Sequence, residues 1–269
     1  MSYDLKYTVN RQIGYSVNEI STPKSRFDYL TEDIDRKTLL KIAENKGYTY
    51  FPIQENGVIV SIMPVKDIKQ NKLESIPLTS DWLIAAEPIL HLLELFAKDN
   101  TRNFFVLSSS EIVGLVSPAD LNRIPARASV YLLVANFETL LTELIRREVG
   151  ETLEKLRRFL SENSINKAIK TRQQEQNEDL ELPIIHYLQW FDLVDVIAEH
   201  ETLRSKLDLS GKTKTKNELK FNTVRNTVAH LNNLLIKSKS DIEKINDDCS
   251  RMIRYTEQFI QILNNLNHS

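Results

Sequence analysis

The first half of the chain repeats one pattern of secondary structure, and this repeat limits the folds that the chain can adopt. In each copy a helical stretch with one apolar face precedes two short apolar strands joined by a turn. The predicted helices are 36–46 and 85–98, and the predicted strands are 48–53, 58–63, 104–107 and 112–116. Gly47 should end the first helix, and Asn56-Gly57 predicts a tight hairpin. Paired copies of one unit indicate an α/β fold with an internal repeat.

From Ser129 onward the sequence predicts helices only. Residues 129–149 form a long helical pattern whose apolar positions are Leu133, Phe137, Leu140, Leu141 and Leu144. Further helices are predicted over 151–162, over 184–200, from about Lys216 onward and over 241–266, whereas 164–181 predicts a loop or an exposed helix. A boundary near Pro125 therefore separates an α/β domain, residues 1–125, from an all-α domain, residues 126–269.

A short motif closes the second copy of the repeat. The sequence VGLVSPADLNR, residues 113–123, resembles the closing strand and helix of a CBS motif. The matching positions, a glycine, a hydroxyl residue, an aspartate and an apolar residue, are Gly114, Ser117, Asp120 and Leu121. The first copy, VSIMPVKDI at 60–68, keeps Asp67 and Ile68 but has Ser61 for the glycine and Pro64 for the hydroxyl residue.

The resemblance implies that a pair of CBS motifs folds together as an α/β module that binds an adenine nucleotide. In that family the hydroxyl residue meets phosphate or ribose, and the aspartate accepts hydrogen bonds from the ribose hydroxyls. Carried over by position, this assigns ligand contacts to Ser117 and Asp120, with Asp67 as a lesser candidate. Serine and aspartate just after a strand are also typical of a plain helix cap, and both interpretations stay open.

Residues 225–230, RNTVAH, place Arg225, Asn226 and His230 within one helical pattern. Histidine titrates near neutral pH and can move protons to and from hydroxyl groups. Arginine is always charged, and its planar fork matches a phosphate that gains charge in a transition state. RNA supplies its own nucleophile, the 2′-hydroxyl. These residues therefore suit phosphodiester cleavage without a metal ion.

The position of the motif on its helix can be predicted from the helical period. At about 100° per residue one narrow apolar stripe forms from Val224, Val228, Leu231 and Leu235. Asn226 and His230 fall on roughly the opposite face, so His230 should not be a core residue. Thr215 and Glu218 match a capping box, which predicts that this helix begins near Lys216. A histidine on the surface with no catalytic role remains the alternative.

Residues 129–269 resemble a HEPN domain, an all-α domain whose ribonuclease members carry arginine, a polar residue, three to five others and then histidine. RNTVAH fits that pattern, including the polar Asn226. The resemblance implies a homodimer with two facing motifs and a metal-independent cut in RNA. Some HEPN toxins carry a tyrosine, modified by a partner enzyme, two residues after the histidine. Asn232 stands at that position here, so this form of regulation is not expected.

Charge and composition restrict the partners. The 35 Lys and Arg residues nearly balance 37 Asp and Glu residues, so RNA would need a local basic patch. Four lysines could form that patch or lie in a solvated loop: Lys212, Lys214, Lys216 and Lys220. Asp192, Asp195 and Glu199 share a helix face, and a solvated or salt-bridged stripe is favoured there over a metal site. The single cysteine, Cys249, suits a reducing compartment. No start typical of a signal peptide and no sufficiently long apolar window occur, so we expect a cytoplasmic protein without membrane contact.

These features predict a CBS-like α/β pair followed by an all-α HEPN-like bundle. The predicted function is that of a nucleotide-regulated, metal-independent endoribonuclease, with a toxin or antiviral defence role implied by family resemblance alone. The catalytic residues would be Arg225, Asn226 and His230. The rival interpretation is a non-catalytic regulatory protein with the same two domains.

Overall fold

The computed structural model describes residues 13–30, 35–70, 72, 74–175, 182–229 and 234–267. The chain divides into two compact units. Within the described residues, 15–126 form the α/β unit, and 127–267 together with Ile13 and Gly14 form the helical unit. The division between Ala126 and Arg127 falls at the start of the long helix that the sequence places after Pro125.

The α/β unit holds two small sheets and three α-helices. Its strands are β1 (Thr22–Pro23), β2 (Tyr50–Glu55), β3 (Val58–Pro64), β4 (Ile76–Pro77), β5 (Leu83–Ala85), β6 (Phe104–Ser108) and β7 (Glu111–Val116). Its helices are α1 (Arg36–Lys46), α2 (Val65–Lys69) and α3 (Ile89–Lys98), with a short 3-10 helix at Pro118–Asn122. One sheet has the order β1-β7-β6-β5, and the other has the order β2-β3-β4. Each sheet contains one predicted hairpin, so the internal repeat is confirmed.

The turn residues explain both hairpins. Two residues join the strands in each, because Glu55 pairs with Val58 and Ser108 pairs with Glu111. Such loops need positive φ at both positions, and Asn56-Gly57 supplies it with φ of 49° and 83°. The second loop uses Ser109 and Ser110, with φ of 48° and 70°. The second turn is therefore more strained than the first.

Helix α1 begins and ends where its local chemistry requires. The carboxylate of Asp35 accepts hydrogen bonds from the backbone N–H groups of Lys37 and Thr38, at 2.8 and 3.1 Å. Gly47 ends the helix in the left-handed conformation, with φ of 69°. The predicted bounds of this helix are confirmed. The buried face of α1 packs with side chains from β2, β3 and α2.

The helical unit is built around one long helix, Ile124–Glu148, whose apolar face is buried. Its helices are α4 (Ile124–Glu148), α5 (Leu153–Leu156), α6 (Glu162–Glu175), α7 (Trp190–Glu199), α8 (Glu201–Lys206), α9 (Lys212–Glu218), α10 (Asn222–Ala229) and α11 (Lys239–Asn267). The ring of Phe137 on α4 lies 5.3 Å from Trp190, 5.3 Å from Phe221 and 5.1 Å from Phe259, measured between centroids. This aromatic cluster joins α4, α7, α11 and the residue just before α10.

Helix α4 is long and apolar enough to cross a membrane, judged by length and composition alone. Half of its most apolar window is buried within the structure. Leu133, Phe137 and Leu144 are completely buried, at the positions that the sequence assigns to the core. This pattern is that of the central helix of a bundle.

The predicted single helix from Lys216 through the motif is wrong. The chain instead forms α9 and α10, and three residues separate them. Thr215 is fully buried within α9 and bonds back to the carbonyl of Gly211, at 2.9 Å, instead of capping a helix. Glu218 accepts hydrogen bonds from Tyr255 and Arg254 on α11. The predicted capping box is therefore wrong, because Thr215 bonds within its own helix and Glu218 binds residues of α11.

Two other helix predictions need correction. Residues 184–200 contain a 3-10 helix, Ile184–Tyr187, before α7 begins at Trp190. The break has a local cause, since the carboxylate of Asp192 accepts the backbone N–H of Gln189 at 3.0 Å and starts a new helix. Over 151–162 the structure has only the four-residue α5 before α6 begins at Glu162.

Candidate functional site

Helix α10 exposes the polar face of the RNTVAH motif. Val224 and Val228 are 0% and 4% exposed, and Leu235 beyond the helix is also buried. The predicted apolar stripe is therefore confirmed at Val224 and Val228. Leu235 is buried but lies outside the helix, and Leu231 lies outside the described residues. Asn226 is exposed, as its predicted face requires. His230 lies outside the described residues, so its orientation and catalytic role stay predictions.

The side chain of Arg225 is held between two other helices. Its guanidinium lies 3.5 Å from a carboxylate oxygen of Glu138 on α4. It also lies over the ring of Trp190 on α7, 5.7 Å from the centroid. The side chain of Arg225 remains 40% exposed. These two contacts orient the guanidinium of Arg225, and its exposed part remains accessible to an anionic ligand.

Two of the three acidic residues on the predicted face of α7 are ion-paired, and the third, Asp192, is buried and caps the start of the helix. Asp195 pairs with Lys216 at 2.8 Å, and Glu199 pairs with Lys212. The hydrogen bond from Lys212 holds the pKa of Glu199 below its ordinary value. Within the described ranges no group of three metal-binding side chains occurs. Lys212 and Lys216 therefore attach α9 to α7 and are already paired, which weakens the prediction of a free basic patch.

In the α/β unit, the structure brings Ser117 and Asp120 together. One carboxylate oxygen of Asp120 accepts the backbone N–H of Ser117 at 2.7 Å and its hydroxyl at 2.8 Å. The other carboxylate oxygen pairs with Arg123 at 2.8 Å. Arg123 also donates to the hydroxyl of Thr22, at 3.1 Å. These bonds form a helix cap, which is one of the two interpretations of Ser117 and Asp120 given by the sequence.

The contacts of Asp120 limit how it could bind a ribose. An ionised carboxylate offers about four acceptor positions. Three donors from the described residues take positions on Asp120, two on one oxygen and one on the other. The side chain of Asp120 is 12% exposed. One ligand hydroxyl can therefore bind directly, and a second hydroxyl requires Arg123 or the Ser117 hydroxyl to move.

Gly114 has a structural reason for being glycine. A Cβ there would lie 2.8 Å from the hydroxyl of Ser21 and 3.2 Å from the carbonyl of Thr22. Both residues belong to the segment that pairs with β7. The glycine of the motif thus permits the close approach of β1 to the strand that precedes Ser117.

Asp67 is in a different part of the α/β unit. It lies on α2, after β3 of the three-stranded sheet, whereas Ser117 and Asp120 follow β7 of the four-stranded sheet. Asp67 is half-buried. Among the described residues its side chain makes no contact with Ser117 or Asp120. The structure therefore does not join the three predicted ligand residues into one group.

A pocket of about 220 Å³ also opens in the α/β unit. Its lining is formed by Phe27, Asp28, Tyr29, Leu30, Leu39, Ile42 and Phe51. Asp28 accepts hydrogen bonds from Lys46 at 2.6 Å and from Tyr48 at 2.8 Å, and the Lys46 bond above all holds the pKa of Asp28 below its ordinary value. None of the predicted ligand residues lines this pocket.

Sequence reasoning missed three residues that shape these sites: Arg123, Glu138 and Trp190. Arg123 follows Asp120 by three positions, so this partner was visible in the sequence as a potential ion pair. Glu138 and Trp190 lie 87 and 35 positions before Arg225 in the numbering. No local pattern connects residues so far apart, because only the packing of α4, α7 and α10 brings them together.

Comparison with known proteins gives similarity to CBS domain pairs. No protein-family model matches the chain, and no curated protein matches it. Three similar solved structures are the CBS domain of a bacterial CNNM/CorC family Mg²⁺ transporter in complex with ATP, CBSX2 in complex with AMP, and a CBS-domain pair with bound AMP from Klebsiella pneumoniae. Their sequence identities are 19%, 15% and 17%, and their TM-scores are 0.33, 0.34 and 0.32. Each match covers 40% of this chain, in its N-terminal part, and 84%, 93% and 94% of the respective structure.

Proposed function

We propose that this chain is a nucleotide-responsive endoribonuclease that needs no metal ion. In this proposal the helical unit resembles a HEPN domain and cleaves RNA, and the α/β unit binds an adenine nucleotide that regulates cleavage. The observation that carries the proposal is that α10 exposes Asn226 on the face opposite buried Val224 and Val228 and leaves the side chain of Arg225 40% exposed. Cytoplasmic location and a role as a toxin or defence effector belong to the same proposal.

The proposed reaction is transfer of a phosphoryl group within RNA. The 2′-oxygen bonds to phosphorus as the bond from phosphorus to the 5′-oxygen breaks. His230 removes the proton from the 2′-hydroxyl, and the His230 of a second copy protonates the leaving 5′-oxygen. Arg225 stabilises the charge that develops on the phosphate, and Asn226 offers a hydrogen bond to it. A homodimer would thus supply the acid, the base and the cations that one copy lacks.

Cleavage is tested by incubating the purified chain with total RNA in the presence of EDTA. The proposal expects cleavage by the unmodified protein, and a loss of roughly 10²–10⁴-fold for His230→Ala. Arg225→Lys should also lose activity, because lysine cannot form a bidentate contact. Arg254→Lys is the matched control, since Arg254 pairs with Glu218 and lies over an aromatic ring elsewhere in the unit. No cleavage by the unmodified protein would reject the ribonuclease proposal.

Mixing two forms of the chain tests whether the active site is formed by residues of two copies. Unmodified chains and chains carrying His230→Ala are combined and allowed to exchange before RNA is added. If each active site uses a histidine from both copies, mixed dimers lose activity beyond simple dilution. Full activity per unmodified chain would show that one copy contains the complete site.

Nucleotide binding is proposed for the region of Ser117 and Asp120. Calorimetry with AMP and ATP measures it, and Asp120→Asn should weaken binding at least tenfold because a charged acceptor makes the stronger hydrogen bond. Asp99→Asn is a closely matched control. Asp99 accepts the N–H and hydroxyl of Thr101 and pairs with Arg102, three positions on, as Asp120 pairs with Arg123. Equal losses in both variants would assign Asp120 a capping role only.

A non-catalytic regulatory protein is the second candidate. It is favoured by the pairing of Arg225 with Glu138, since an ion-paired arginine next to an aromatic ring is also a common structural element. This candidate expects nucleotide binding without RNA cleavage. The RNA experiment in EDTA and the calorimetry together separate it from the ribonuclease.

A further inference from the structure

We infer that Glu138 is a positioning residue for the motif arginine: with the Trp190 ring it holds the Arg225 guanidinium in the direction needed to meet a phosphate. The inference rests on the proposed ribonuclease function. No sequence motif includes Glu138, and its role follows from the packing of three helices. The contacts that carry it are the 3.5 Å ion pair and the placement of the guanidinium over the indole ring.

The aromatic cluster fixes both partners of Arg225. Glu138 directly follows Phe137, which is completely buried and touches three other rings. Trp190 is itself 2% exposed, and its ring packs against Phe137 at 5.3 Å and against Phe221 at 6.0 Å. The carboxylate therefore stands on an anchored backbone, and the ring under the guanidinium cannot rotate freely. Arg225 is therefore held by one buried ring and by a carboxylate on a packed helix.

The start of α10 is tied to the same cluster. The backbone N–H of Arg225 donates to the carbonyl of Phe221 at 3.0 Å. The ring of Phe221 packs edge-on against Phe137 and Trp190. The backbone of Arg225 and the two groups that hold its side chain thus share one core. The backbone of Arg225 and the two groups that contact its guanidinium together determine the orientation of the side chain.

Holding an arginine side chain matters because the free side chain has many rotamers. Fixing it before the substrate arrives removes an entropic cost from the reaction. A guanidinium has five N–H donors, and among the described residues Glu138 is the one carboxylate paired with it. Donors remain for a phosphate, and the 40% exposure of the side chain leaves them accessible. The carboxylate can therefore orient Arg225 without blocking it.

Steady-state cleavage of a single-stranded RNA, with Glu138→Ala, Glu138→Gln and Glu143→Ala, tests the inference. Glu138→Ala should lower kcat roughly tenfold and change KM less than about twofold, since misdirection of a fixed group affects the reaction step. Glu138→Gln retains a hydrogen-bond acceptor and should restore most of the rate. Glu143→Ala is the control, because it removes an ion pair with Arg146 and Arg147 from the same helix. Unchanged or increased kcat in Glu138→Ala would overturn the inference.

A second measurement does not depend on activity. NMR relaxation of the Arg225 Nε–Hε group in the full chain reports how rigid the side chain is. It should be ordered in the unmodified protein and in Glu143→Ala, and mobile in Glu138→Ala. Equal order in all three proteins would refute the positioning role. If the unmodified protein does not cleave RNA, the proposed function fails, while this measurement still decides whether Glu138 orients Arg225.

Discussion

Replacing Phe137 with leucine should destabilise the helical unit more than any surface substitution on the same helices. Phe137 is completely buried and contacts three aromatic rings at 5.1 to 5.3 Å. Each such ring pair contributes about 0.5–1.5 kcal/mol beyond the apolar area that it buries. Leucine keeps much of the volume but loses all three ring contacts. We therefore expect a loss of about 2 kcal/mol, and about 3–5 kcal/mol for alanine.

Urea unfolding followed by tryptophan fluorescence measures this loss. The chain has two tryptophans, Trp82 in the α/β unit and Trp190 in the cluster. In a Trp82→Phe background the signal reports the helical unit alone. Phe191→Leu is the matched control, because Phe191 lies on α7 with 49% exposure and should change stability by less than about 0.5 kcal/mol. The slope of free energy against urea should stay unchanged in both variants.

The losses in unfolding free energy of Phe137→Leu and Phe191→Leu are then compared. If Phe137→Leu costs no more than Phe191→Leu, the aromatic cluster does not anchor the helices around the motif. Glu138 and Trp190 would then not be held in place by this cluster. A loss near the expected value would show that the contacts between these rings hold α4, α7 and α11 together.

The remaining predictions concern the α/β unit. Gly114→Ala should cost about 1–3 kcal/mol, seen as a lower urea midpoint of Trp82 fluorescence, because the added methyl meets Ser21 at 2.8 Å. Ser110→Gly should raise the free energy of unfolding by about 1 kcal/mol, seen as a higher urea midpoint, since φ of 70° strains a serine and suits glycine. Asp28→Asn should reduce the fall in the free energy of unfolding as the pH is lowered into the acidic range. Its folded pKa lies below the ordinary 3.8, so its contribution is present above that pH and is lost as the pH falls through the folded pKa. Parallel pH profiles for the two proteins would contradict this assignment.

Much of the α/β unit follows from local sequence. The bounds of α1 are set by Asp35 and Gly47, which act on their neighbours in the chain. Both hairpins follow from alternating apolar residues and from turns of two residues. The sheet order β1-β7-β6-β5 was not predictable in this way. It depends on a contact between the start of the unit and Gly114, and no local pattern indicates that approach.

The helical unit shows where local signals fail. Thr215 and Glu218 have the spacing of a capping box, yet Thr215 is buried in α9 and Glu218 binds residues of α11. Lys212 and Lys216, also in α9, pair with acidic residues of α7. By contrast, the apolar stripe of α10 was correct at Val224 and Val228. The apolar period of α10 reports which face meets the core, whereas Thr215 and Glu218 take partners that their spacing did not predict.

The two candidate sites share one property: their predicted functional side chains are already bonded within the protein. Arg225 is paired with Glu138 and Asp120 with Arg123, so a ligand must share these partners or displace them. Arginine has five donors, and one carboxylate uses few of them, so a phosphate can bind without breaking the contact with Glu138. Asp120 has about four acceptor positions and three are taken, so two ribose hydroxyls cannot bind unless a donor leaves. RNA binding is therefore expected to preserve the described contacts of the helical unit. Nucleotide binding is expected to release either Arg123 or the Ser117 hydroxyl, and the first change would loosen the link between the motif and Thr22.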